Sequence, residues 1–132
     1  MDMEKKNIDW ENLSFSYQAI DQRYVADYAD GAWQPGHLSS DPMITMSECA
    51  CVLQYAQTIF EGIKAYTTAD GRIVTFRPDL NAERFISSAQ RMEMPSLPKE
   101  QFIDSIMQVV KANEAYVPPY GTGATLYIRP YM

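Results

Sequence analysis

A chain of 132 residues is enough for one domain with a real core, and short for an enzyme of two lobes. Hydrophobic residues make up 46% and charged ones 21%, the balance of an ordinary soluble domain. A formal net charge of -6, with no basic run beyond Lys5-Lys6, argues against nucleic acid, which needs clustered cations.

No apolar run approaches the roughly 18 residues of a membrane span, and the charged N-terminus lacks a signal-peptide pattern, so a cytoplasmic protein with no membrane partner is expected. Residues 1–21 are polar and irregular and form an arm, which Ile8, Trp10, Leu13 and Phe15 are expected to pin to a surface. The domain proper is expected over 22–132. Residues 24–29, Asp30-Gly31 and Ala32-Trp33 predict a hairpin, because Asp-Gly suits a tight type I′ turn. Pro35-Gly36 breaks its second strand, and 37–48 is predicted as loop, His37 included. Cys49 and Cys51 stand too close for an unstrained bridge and are expected as buried or half-buried free thiols. With one histidine and no acidic cluster, no metal site is expected.

Residues 50–58 predict a short helix, with an end or bend at Gly62. Residues 63–67 and 72–77 predict two strands joined through Ala69-Asp70-Gly71. Pro78-Asp79 opens a helix whose Ala82, Phe85, Ile86 and Ala89 share a face. Pro98 starts another, with Ile103, Ile106, Met107 and Val110 at the same spacing. Pro118-Pro119 ends it, residues 120–123 are loop, and 125–132 is the last strand. This order does not alternate as βαβ. It predicts an α+β fold, a two-layer sandwich with a mostly antiparallel sheet and helices on one face.

Alternation along the last strand places Tyr127, Arg129 and Tyr131 on one face and Leu126 and Ile128 on the other. A phenol beside a guanidinium makes a receptor for a carboxylate; the plain alternative is a solvated strand face. Arg84 lies off the apolar stripe of its helix and, on spacing alone, is a solvent-facing charge, as is Arg91. Phe15, Tyr55 and Phe60 would ordinarily be packing residues, and Glu61 reads as structural. No serine or cysteine has a nucleophile's surroundings, and one histidine makes a hydrolytic triad improbable.

Three strings stand in register: Phe60-Glu61-Gly62-Ile63-Lys64-Ala65-Tyr66, Asn81-Ala82-Glu83-Arg84 behind Phe76, and Tyr127-Ile128-Arg129-Pro130. Together they resemble the small N-terminal domain of branched-chain amino acid aminotransferases, pyridoxal 5'-phosphate enzymes of fold type IV, and the resemblance runs from about Leu13 to Met132. It implies amino transfer between leucine, isoleucine or valine and 2-oxoglutarate, in a homodimer whose small domains complete one another's sites. It also implies that the chain stops before the large domain with the Schiff-base lysine. No catalytic residue is therefore expected here, Lys64 is a strand-face charge, and the chain alone is expected to be inactive. Arg84 would bind the cofactor phosphate, Tyr127 and Arg129 would reach the substrate, and Phe15, Tyr55 and Phe60 would wall its pocket. The Phe-Glu-Gly start fits the branched-chain enzymes better than D-amino acid aminotransferases or aminodeoxychorismate lyases. The alternative of another class is a noncatalytic domain that self-associates or binds a small anion.

Overall fold

The structure is a computed structural model and describes residues 4–132. Asp30 and Gly31 take positive φ, 54° and 78°, the geometry of the type I′ turn that Asp-Gly favours. They join strand β2 (Tyr28–Ala29) to β3 (Ala32–Trp33), with Tyr28 opposite Trp33. The first strand of this hairpin does not run back to residue 24 as the sequence predicts. A separate strand β1 (Arg23–Val25) pairs with β4 (His37–Ser39), so His37 sits in a strand opposite Val25 and not in a loop. Pro35-Gly36 turns the chain back along β1, and Gly36 lies so close to the Tyr24 ring that a Cβ would collide with it. Turn chemistry marks where a strand ends; it does not say which distant backbone groups remain to be paired.

Helix α1 (Cys51–Tyr55) is shorter than predicted and ends at Ala56 in the left-handed region, φ 52°. It buries none of its residues, and Cys49 and Cys51 are free and exposed, not buried or half-buried. Strands β5 (Ile63–Thr67), β6 (Ile73–Thr75) and β7 (Leu126–Ile128) form an antiparallel sheet in the order β6-β5-β7. β6 stops short of 77 because Arg77 adopts φ 47° and Pro78 begins the next helix. β7 is shorter than the predicted 125–132, because Pro130 has no N–H to give. Pairing nevertheless continues past it. The Glu61 N–H donates to the Pro130 carbonyl at 2.8 Å, and Ile59 and Met132 exchange both backbone bonds at 3.0 Å.

Helices α2 (Pro78–Arg91) and α3 (Lys99–Ala112) pack together against one face of this sheet. Ala82, Phe85 and Ala89 of α2 are buried as the 3.6-residue spacing predicts. The buried stripe of α3 is rotated from the predicted one: Phe102 joins Ile106 and Val110, while Met107 is exposed. Phe102 is drawn in by Phe85, whose ring centre lies 5.2 Å away. Ile63, Ala65 and Ile128 complete the core from the sheet. The fold is α+β, with helices on one face of an antiparallel sheet.

Residues 1–3 of the expected arm lie outside the described residues. The rest carries one 3₁₀ turn, Trp10–Asn12, and is held chiefly by polar bonds. The Lys6 N–H donates to the Ala115 carbonyl at 3.0 Å, and the Tyr116 hydroxyl donates to Asp21 at 2.7 Å. Buried Asn113 accepts from the Gln22 N–H and donates to the Gln22 carbonyl. Ile8, Trp10 and Leu13 are half-buried, whereas Phe15 is exposed. Among the described residues, no helix is long and apolar enough to cross a membrane.

Candidate functional site

The pleat of β5 sorts its side chains, and those of the segment before it, onto two faces. Ile59, Glu61, Ile63 and Ala65 are buried, while Phe60, Gly62 and Lys64 between them are exposed. Gly62 leaves room for the Tyr127 hydroxyl: a Cβ on Gly62 would stand 2.5 Å from it. Lys64 lies directly across the ladder from Tyr127.

The side chain of Arg129 reaches back over this face. It donates to the Tyr127 hydroxyl at 3.0 Å and lies over two rings, with its guanidinium carbon 4.6 Å from the centre of Phe60 and 5.3 Å from that of Tyr127. Such stacking is favourable for the planar, weakly hydrated guanidinium and leaves its edge free to donate. Phe15 closes the group from the arm, its ring centre 5.4 Å from that of Tyr127. Tyr131 bridges to Phe60 through the backbone. Phe15, Tyr127, Arg129 and Phe60 are thus one cluster, built from three separate stretches of chain. Tyr55 is on α1 and 81% exposed, with no ring contact to that cluster among the described residues.

A second arrangement faces α2. The carboxylate of Glu61, 3% exposed, accepts two hydrogen bonds from Arg84, at 2.6 Å from Nε and 2.7 Å from Nη2. Asn81, on the same helix, donates to Oε2 at 2.8 Å. The hydrogen bonds from Arg84 hold the Glu61 carboxyl below the ordinary carboxylate range, against burial, which pushes it up. The same pair raises the Arg84 guanidinium further above neutrality. Arg84 itself is 68% exposed, so the N–H groups turned away from Glu61 meet solvent. An always-charged, fixed and outward-facing set of donors fits a phosphate dianion. Among the described residues, no group of three or more His, Cys, Asp or Glu is placed to hold a metal ion.

The sequence reading took Glu61 as structural and Lys64 as a strand-face charge; it named neither the partner of Glu61 nor the neighbour of Lys64, which is exposed on β5. A signal for Glu61 was present: it shares the parity of Ile63 and Ala65, and a carboxylate at a core position demands a cation from the element packed there. Lys64 needed the register of β5 on β7, which no local pattern contains.

No protein-family model matches the chain. A branched-chain-amino-acid aminotransferase of Haemophilus influenzae is 46% identical over 127 residues, 96% of this chain and 37% of that protein. The Helicobacter pylori protein of the same name is 42% identical over the same shares. A methionine aminotransferase of Arabidopsis thaliana is 44% identical, covering 96% of this chain and 36% of that protein. In fold, the chain is similar to a crystal structure of a branched-chain aminotransferase of Thermoproteus uzoniensis with norvaline. The TM-score is 0.60 at 24% identity, over 83% of this chain and 32% of the other. The chain thus spans little more than a third of the relatives it matches. Across nearly its whole length the chain is similar in sequence to one part of branched-chain-amino-acid aminotransferases, and in fold to a solved branched-chain aminotransferase.

Proposed function

We propose that these residues form the substrate-facing small lobe of a branched-chain aminotransferase that moves an amino group between leucine, isoleucine or valine and 2-oxoglutarate. The observation that carries this reading is Arg129 lying on the Phe60 ring with Tyr127 at its edge. Such an enzyme must take an aliphatic side chain and an acidic one in the same pocket. The aromatic faces suit the first, and the guanidinium fork suits the second. A pocket wall that offers both lets the two substrates alternate without rebuilding the site.

The outward donors of Arg84 would hold the phosphate of pyridoxal 5'-phosphate. When bound, that cofactor supplies the electron sink that lets the α-carbon lose and regain a proton. The family's cofactor lysine is expected in the lobe that these residues do not span. Phe15, Phe60 and Tyr131 are exposed on the open face, 85%, 61% and 57%. A second lobe or subunit that covered them would exclude water from the pocket, which supports a homodimer as the working form. The similarity to a methionine aminotransferase favours a second reading of the donor side chain. Aromatic walls without a hydrogen-bonding group would take an unbranched thioether as readily as a branched alkyl group.

The test is Arg129→Ala in the full-length enzyme. Losing a charge-assisted pair should cost the acidic acceptor roughly 1.5–3 kcal/mol of kcat/KM, with a much smaller loss for leucine. Equal losses for both substrates would remove Arg129 from this role. Leucine against methionine in direct competition separates the two readings of the donor.

A further inference from the structure

Burying a carboxylate is unfavourable unless its oxygens are fully paired. Glu61 meets that condition with three hydrogen bonds, two from Arg84 and one from Asn81. The pair is one-sided, however: the carboxylate is 3% exposed, whereas the arginine is 68% exposed. An ion pair that served the core alone would have no use for the outer edge of the guanidinium. The backbone of Glu61 is itself fixed, because its N–H donates to the Pro130 carbonyl at 2.8 Å and the next residues of its parity are core. An arginine on a helix surface otherwise samples many rotamers, and that freedom must be given up when it grips a ligand.

We propose that Glu61 is a positioning residue for the cofactor's phosphate: it grips the Nε–Nη2 edge of Arg84 from inside the lobe, and so presents the outer N–H groups to the dianion. Asn81 steadies the same carboxylate from one helical turn away. Repulsion between Glu61 and a phosphate acts in the opposite direction. It is the weaker effect, because the guanidinium would stand between the two anions and the carboxylate is already bonded on both oxygens. The inference rests on the assignment of Arg84 to the phosphate made above.

The experiment uses the full-length enzyme carrying this lobe. Dissociation constants are measured by absorbance titration for pyridoxal 5'-phosphate and for pyridoxal, which lacks the phosphate. In Glu61→Gln the phosphorylated ligand should weaken about tenfold, from loss of a charge-assisted contact, while pyridoxal stays within about twofold. In Arg84→Ala the loss should be larger, and adding Glu61→Gln to it should change nothing more, because the two act as one unit. Asn81→Ala keeps the ion pair and should show the same selectivity in smaller measure; it decides the matter if Glu61→Gln does not fold. Equal weakening of both ligands, unchanged affinity for both, or independent addition to Arg84→Ala would overturn the role of Glu61. If Arg84→Ala loses its preference for the phosphate and Glu61→Gln keeps it, this inference alone fails. If Arg84→Ala keeps its preference, the assignment of Arg84 fails first and takes the inference with it.

Discussion

Gly62 shows how one missing methyl can matter more to a site than to a fold. The atom a Cβ would meet there is the Tyr127 hydroxyl, the far end of a side chain, and not backbone. The tyrosine can swing aside at little cost. Gly62→Ala should therefore change stability by no more than about 1 kcal/mol, yet move the hydroxyl away from Arg129. In the full-length enzyme, use of the acidic acceptor should fall while the melting temperature barely moves. A large loss of stability with acceptor use intact would contradict this geometry. Glu61 gives a pH-dependent counterpart. Its carboxyl is held below its unfolded value, so its contribution is complete above the ordinary glutamate value of about 4.3 and fades as pH falls through the lower folded value. Wild type should exceed Glu61→Gln in urea resistance at neutral pH, and the gap should close in acid. A gap that widened in acid would mean that the carboxylate is not held charged by Arg84.

The elements differ in how far local rules carry them. The type I′ hairpin is readable because its turn and both strands lie within a few residues, and both turn residues have the positive φ that Asp-Gly tolerates. Gly31→Ala at φ 78° should cost about 1–2 kcal/mol, seen as a lowered urea midpoint, since a Cβ strains the left-handed region. The pairing of β1 with β4 was not readable, because it joins residues on either side of another hairpin. Spacing alone gives a helix face to within one residue, which is why α3 buries Phe102 where Met107 was expected. Phe102→Ala should cost about 3–5 kcal/mol as a cavity against Phe85, whereas Met107→Ala should cost under about 1 kcal/mol. Comparable losses at the two positions would mean that the stripe is wrongly placed.

For the whole molecule, the open face decides behaviour in solution. Phe15, Phe60 and Tyr131 stand exposed together beside Arg129, a concentration of aromatic surface that isolated soluble domains seldom leave uncovered. The 132-residue chain should therefore associate with itself as its concentration rises. Light scattering across a dilution series checks this, and a monodisperse monomer at high concentration would count against it. The same chain should show no amino transfer. Treated with pyridoxal 5'-phosphate and borohydride, it should label its lysines unselectively; one stoichiometric adduct, at Lys64 or elsewhere, would refute that.

What the sequence by itself determined is the resemblance to branched-chain aminotransferases, the α+β order of elements and the apolar face of α2. Each is written in contiguous strings or in a short period that local sterics and burial enforce. Tertiary structure alone decided the partnerships: Glu61 with Arg84, the Tyr127 hydroxyl over Gly62, Arg129 on Phe60, and β1 with β4. These contacts join segments far apart in the chain. Their register is chosen by which packing of sheet and helices closes the core and pairs the buried polar groups, and no local propensity encodes that choice.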